Sequence, residues 1–330
     1  MTTLVEGEAI DRFKSEYQSY HSISKERRRD QLRALTSLCT FAGVDSPVKI
    51  TSEKYREWLQ WLLDEDDKSP QTVKKYGMMV WAFFGWAFDV KLISAETLME
   101  IKRIEFPKAP RYRPRPYSIK EIKGIWPALD KAHPLDGKYL KRWRKGTSRY
   151  KRVEHYAQHL QFRAIIRLAL DCGLRREEMF NLDLDDMHYD NEYVVVKEGK
   201  GEKPREVPFT KAARAACRDW IEFRTELNPS HDRPWLSLTR FGPEGVWLQP
   251  MSFRRFAGCL SEDLGKGWQL HRLRHTCATN WLRSGMKLET VQRLLGHSHI
   301  SQTLGYAELV SEDIQREVER NEDAFAALVA

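Results

Sequence analysis

The sequence predicts a mainly α-helical chain with a small β-hairpin, divided into two units. Three observations lead there. The 330 residues exceed one ordinary domain. Apolar residues recur at three- and four-residue spacing over most of the chain, as on helices buried along one face. Alternating β-rich runs occur only at Tyr193–Val196 and Glu206–Phe209, around a Gly-Lys turn. Hydrophobic residues at 41% can fill two cores, and 31% charged residues suit a water-facing surface.

The first unit, residues 1–106, is expected to be all helical. A short amphipathic stretch spans Ala9 to Tyr20. Ser24 can cap a helix through Phe41 that sets Leu32, Leu35 and Leu38 on one face. Thr51 opens another, in which Tyr55, Trp58, Leu59 and Leu62 recur at helical spacing. Ser69-Pro70 is a cap followed by a first-turn proline, starting a helix to Ala87. Met78, Val80, Trp81, Phe83, Phe84 and Trp86 make that helix apolar nearly all round, which predicts the buried centre of a bundle. These rings are read as core and not as a base-stacking surface.

Residues 107–117 form a linker. Pro107 to Ser118 holds four prolines, four basic residues and no acid, so it is extended and positive. Arg111, Arg113 and Arg115 would suit a strand lying along a polyanion. Ser118 with Glu121 is a capping box opening the second unit, residues 118–330. Gly137 to Arg152 carries eight Lys/Arg and no acid, a basic insertion in which Lys141, Arg142, Arg144 and Lys145 are candidate phosphate contacts. Helix resumes from Gln161 to Leu170, the hairpin follows, and helices dominate after Thr210.

Charge narrows the function classes. The net charge is +8, yet Ser311 to Ala330 holds six acids and two bases, so the remaining chain carries +12. A basic body with an acidic tail favours nucleic acid as partner. No run of about 18 uncharged apolar residues offers a membrane span. Met1 to Ile10 carries acids before any apolar stretch, unlike a secretory leader. The five scattered cysteines lack a Cys-x-x-Cys pair, a pattern of reduced thiols that predicts a cytoplasmic protein.

Four segments carry the chemistry. Gly173-Leu174-Arg175-Arg176-Glu177-Glu178 ends an apolar helix, and Gly199-Lys200-Gly201-Glu202-Lys203-Pro204-Arg205 lies in the hairpin turn. His271-Arg272-Leu273-Arg274-His275 comes next, then Leu294-Leu295-Gly296-His297 with Tyr306 nine residues beyond the histidine. Taken singly these are a helix end, a turn and half-buried side chains. The His271/His275 pair at i, i+4 has zinc-ligand spacing, but Arg272 and Arg274 would repel a cation and no metalloprotease glutamate lies between. Asp183, Asp185, Asp186 and Asp190 raise a Mg²⁺-nuclease alternative in a stretch where solvated acids are commonplace. No Gly-x4-Gly-Lys-Ser/Thr loop is present.

In this order and spacing the four segments resemble the tyrosine site-specific recombinases of the phage integrase family, over roughly Ser118 to Leu309. The resemblance implies a helical, core-site DNA-binding first domain and a mixed α+β catalytic domain that together embrace double-stranded DNA. It implies a homotetramer on synapsed sites, a prokaryotic or phage origin, and no cofactor, metal or membrane. It also implies catalytic Arg175, Lys200, His271, Arg274, His297 and nucleophilic Tyr306, with Glu178 organising the arginines.

The physics of phosphodiester attack agrees. Charge builds on two non-bridging oxygens, and arginine forks such as Arg175 and Arg274 can hold them without a metal. A phenol favoured as phenolate by nearby cations can attack and store the bond energy as phosphotyrosine. The departing 5′ oxygen needs a proton, which a hairpin lysine can supply; Lys197 and Lys203 compete with Lys200 for that role. A type IB topoisomerase-like enzyme, or a DNA-binding module of the same fold that does not cut, are the alternative functions.

Overall fold

Hydroxyl side chains set the helix starts in the first half of the chain. The computed structural model describes residues 8–19, 23–108, 110, 113–133, 148–197, 204–227, 229, 231–237, 246–247, 260, 264–265 and 268–329. By its internal contacts the chain divides into Met1–Arg111 and Tyr112–Ala330.

In the first unit, α1 (Glu8–Arg12) runs on as a wider π turn, Phe13–Gln18. Helix α2 (Lys25–Ala42) is capped by Ser24, α3 (Ser52–Asp64) by Thr51, α4 (Pro70–Asp89) by Ser69 and α5 (Ala95–Lys102) by Ser94. Each cap oxygen accepts the backbone N–H three residues on, which the helix itself cannot satisfy. The core gathers Phe13, Leu35, Leu38, Tyr55, Trp58, Leu62, Phe83 and Phe84. Gly77 lets Phe106 press against α4, since a Cβ there would sit 2.2 Å from that ring. Helix α4 departs from the expected all-round burial: Met78 is 54% exposed and Trp81 only half-buried. Val73, Gly77, Val80, Phe84 and Ala87 make one broad buried face instead.

The second unit opens on α6 (Ile119–Ala132) with its capping box complete. Ser118 Oγ accepts from Glu121 N, and the Glu121 carboxylate accepts from Ser118 N at 2.7 Å. The central helix is α7 (Ser148–Asp171), so the end of the basic stretch read as an insertion is helical from Ser148. Arg111, Lys141, Arg142, Arg144 and Lys145 lie outside the described residues. After the single turn α8 (Arg176–Phe180) come β1 (Met187–His188), β2 (Tyr193–Val196) and β3 (Arg205–Pro208), an antiparallel sheet in that order. Val196 pairs with Arg205, so β3 starts one residue before the expected run, and β1 is a strand that the sequence pattern did not reveal.

Helix α9 (Lys211–Glu226) packs on α7, followed by the two-residue strands β4 (Leu236–Ser237) and β5 (Val246–Trp247). Helices α10 (Leu270–Arg283), α11 (Leu288–Leu295) and α12 (Ser301–Val329) complete the unit. Helix α10 packs on α7 and α12, and α11 touches β3, which brings distant motifs to one place. Cys39, Cys172, Cys217 and Cys277 are buried free thiols. No helix among the described residues is long and apolar enough to cross a membrane.

Candidate active site

Helices leave their last carbonyls without internal partners, and the site is built on that deficit. Helix α11 ends at Gly296, whose φ of +66° is the left-handed conformation glycine adopts without strain. Three successive carbonyls there each accept from a different arginine. Leu294 O accepts from Arg205 Nε at 2.8 Å, Leu295 O from Arg274 Nη2 at 2.6 Å, and Gly296 O from Arg175 Nη2 at 2.9 Å. A helix C-terminus carries partial negative charge, so it suits these cations twice over.

The other anchor is Gly173, φ +65°, just beyond α7; its carbonyl accepts from Arg274 Nη1 at 2.7 Å. Two fixed bonds therefore orient the Arg274 fork, which is 1% exposed. Burial first, and then the Arg175 charge, lower its pKa to about 10, so it stays cationic at neutral pH.

Glu178 closes the network. Its carboxylate accepts from Arg175 N and Nη1, each at 2.7 Å, and from Arg205 Nη2 at 2.8 Å, and lies 3.6 Å from Arg274. Burial alone would push this carboxyl up, but Arg205 by hydrogen bond and charge, with Arg274 and the Arg175 N–H, outweighs it and holds it below the usual 4.5. A depressed folded-state value means stability that is full above about 4.5 and is lost as pH falls through the lower folded value. Glu178→Gln should remove that acid dependence. It should also cost about 3–5 kcal/mol at neutral pH, because buried cations lose their counter-charge. Urea midpoints measured across that range check both, and an unchanged acid limb would assign it elsewhere.

Gly296 has a second constraint. A Cβ there would lie 2.6 Å from Arg205 Nη1 and 2.8 Å from its Cζ. Gly285, also at positive φ (+86°), has nothing within 4 Å of such an atom. Gly285→Ala should cost about 1–2 kcal/mol of backbone strain, and Gly296→Ala clearly more, in urea unfolding. Equal losses would show that the Arg205 contact adds nothing.

The histidines and the tyrosine line the same region. His297 Nδ1 lies 2.9 Å from Thr303 Oγ1, and its ring stacks on Tyr306 at 6.3 Å. Burial, then Arg274, Arg175 and Arg205, push His297 down to about 3, so it is neutral at physiological pH. Tyr306 is 4% exposed, and it lies near enough to Arg274 for their charges to interact. His271 is exposed at the start of α10, and its ring packs edge-on against His275 at 4.5 Å. Partial burial and Arg274, Arg175 and Arg176 lower the His271 pKa.

The structure thus brings together Arg175, Glu178, Arg274, His297 and Tyr306, with His271 alongside. Lys200 and Lys203 lie outside the described residues. Lys197, the third candidate acid, pairs with Asp183 at 2.7 Å and Asp186 at 3.0 Å, and these bonds raise its pKa. The same pairs occupy two of the aspartates weighed for Mg²⁺; Arg233 also reaches Asp183. Arg113 and Arg115 are exposed; Arg113 pairs with Glu312 at 3.3 Å, and the Arg115 carbonyl accepts from Arg272.

Two residues of the site escaped the sequence reading. Arg205 stood in the basic turn, and only the β2–β3 register shows that it points into the network. His275 stands in the sequence only as half of a zinc-spaced pair, yet its Nδ1 lies 2.6 Å from the Tyr306 hydroxyl.

The fold has solved counterparts. It matches the XerH site-specific recombinase bound to palindromic difH substrate (TM-score 0.67, 16% identity, 95% of this chain and 85% of that one). It also matches the Tn1549 transposon integrase in complex with a circular intermediate DNA (TM-score 0.65, 17% identity, 90% and 94%). Residues 148–312, half of the chain, match the phage integrase family, and the chain belongs to that family. Tyrosine recombinase XerC of Chromohalobacter salexigens is 33% identical over 205 residues, 62% of this chain and 59% of that protein. XerC of Pseudomonas fluorescens is 36% identical over 148 residues, so the chain spans about half to three fifths of these two relatives. XerA of Thermococcus kodakarensis is 24% identical over 310 residues, 80% and 94% of the two chains.

Proposed function

We propose that this protein is a site-specific recombinase that cuts and rejoins duplex DNA through a 3′-phosphotyrosyl bond at Tyr306. One observation carries the reading: a buried phenol beside a group of arginines already held in place by backbone carbonyls. Such a centre offers fixed positive charge to a phosphodiester and costs no reorganisation when charge builds.

In the reaction, the Tyr306 oxygen bonds to phosphorus as its proton passes to His271, and the bond to the 5′ oxygen breaks. Arg175 and Arg274 hold the two non-bridging oxygens. If the Thr303 hydroxyl donates to Nδ1 of the neutral His297, its Nε2–H is free to donate to the phosphate. Lys200 supplies the proton to the 5′ oxygen, His271 assists proton transfer, and Glu178 keeps the arginines in register. Reversal by a 5′ hydroxyl of another strand rejoins the DNA, so neither metal nor nucleotide hydrolysis is required.

The helical first domain, residues 1–106, would grip the core site, with the 107–117 linker and the basic stretch on the backbone. Four protomers would synapse two sites. Arg113 would exchange its exposed ion pair with Glu312 for a phosphate at small cost, since such pairs contribute about 0–1 kcal/mol.

The test uses short duplexes with random flanks around one central nick, so that the cut fragment diffuses away. Repeated selection of detergent-stable protein–DNA adducts should enrich one site. A protein that binds these duplexes yet yields no adduct in any round is a binding module, and the reading fails.

A further inference from the structure

Tyr306 needs more than cations. Its hydroxyl hydrogen must point somewhere that leaves an oxygen lone pair for phosphorus, and the arginines are donors only. His275, one turn after His271 on α10, meets it. Its Nδ1 lies 2.6 Å from the hydroxyl, the rings are 5.6 Å apart, and both residues are 4% exposed.

We propose that His275 is the positioning residue of the nucleophile: its Nδ1 accepts the Tyr306 hydroxyl hydrogen and fixes the rotation of that O–H bond. The inference rests on Tyr306 as nucleophile.

Acceptance requires a ring nitrogen that carries no proton. Burial, then His271, Arg274 and Arg272, push His275 down to about 3, so the ring is neutral and keeps one lone pair. A base that weak does not keep a phenol's proton, so His275 aims the hydroxyl without removing its hydrogen. Its place is fixed: His271 packs edge-on against the ring, and the His275 carbonyl accepts from Thr279 Oγ1 at 2.9 Å. Tyr306 is held in turn by Ala278, Val291 and Leu295.

Amide substitutions test the geometry, because asparagine places a polar atom near Nδ1 and glutamine near Nε2. On the selected nicked duplex at saturating protein, His275→Asn should form adduct within ~10-fold of the wild type. His275→Gln and His275→Leu should fall by ~10²-fold or more, the scale of misplacing a reacting atom by about 1 Å. DNA affinity should be equal in all three. Equal losses in the Asn and Gln variants, or wild-type rates in all, would overturn the proposal.

A second measurement needs neither DNA nor a His275 variant. In the wild type the ¹⁵N resonance of His275 Nδ1 should be that of an unprotonated, hydrogen-bonded nitrogen, and in Tyr306→Phe it should shift as that hydrogen bond is lost. A protonated Nδ1, or no movement, overturns the proposal. Adduct formed by Tyr306→Phe would instead sink the assignment of Tyr306 itself.

Discussion

Replacing Tyr306 by phenylalanine is expected to abolish adduct formation while leaving DNA affinity within about fivefold, under about 1 kcal/mol. The substitution removes one oxygen and no packing, so the cluster of Ala278, Val291 and Leu295 around the ring is kept. It leaves the nitrogen of His275 without the Tyr306 hydroxyl, which should lower stability by about 1–3 kcal/mol. The variant must therefore be assayed well below its unfolding temperature. Denaturing gels of the selected duplex, with binding measured in parallel, separate the two effects. A Phe variant that still links to DNA would move the nucleophile elsewhere.

Arg274→Ala should slow adduct formation by at least ~10²-fold, the scale of one lost transition-state donor. It should also destabilise the second unit, since the carbonyls of Gly173 and Leu295 lose the donors they share. Arg274→Lys discriminates between charge and fork. Lysine keeps the charge, but its single nitrogen cannot reproduce the planar arrangement that spans both carbonyls. Binding should survive in the Lys variant while the single-turnover rate stays near that of alanine. A Lys variant at wild-type rate would show that charge alone suffices, and an Ala variant within tenfold of wild type would remove Arg274 from the chemistry.

Much of this was legible in the sequence, for identifiable reasons. Ser24, Thr51, Ser69 and Ser118 announced helix starts because capping is a local interaction, complete within four residues. Arg175, Arg274, His297 and Tyr306 were legible because their spacing repeats a known order. What escaped depends on residues far apart. Arg205 looks like any charge near a turn until the pairing of Val196 with Arg205 faces it toward Glu178. His275 reads as a core histidine because its partner lies 31 positions away. Met78 was misplaced because an apolar, aromatic helix hides which face it turns inward.

The three carbonyls at the end of α11 also set a schedule. Their arginine partners are 121, 89 and 21 positions away along the chain. Contacts spanning such separations close late in folding, after the local helices, because loop entropy opposes them until much of the unit is collapsed. A chain growing from its N-terminus presents Arg175 and Arg205 long before Leu294 to Gly296 exist. Until α11 emerges, those guanidiniums have no end of a helix to gather on. Tyr306 follows ten residues after Gly296, so the proposed nucleophile is made after every other residue of this centre. On the proposed reading, an unfinished chain therefore holds neither an assembled cationic centre nor a nucleophile.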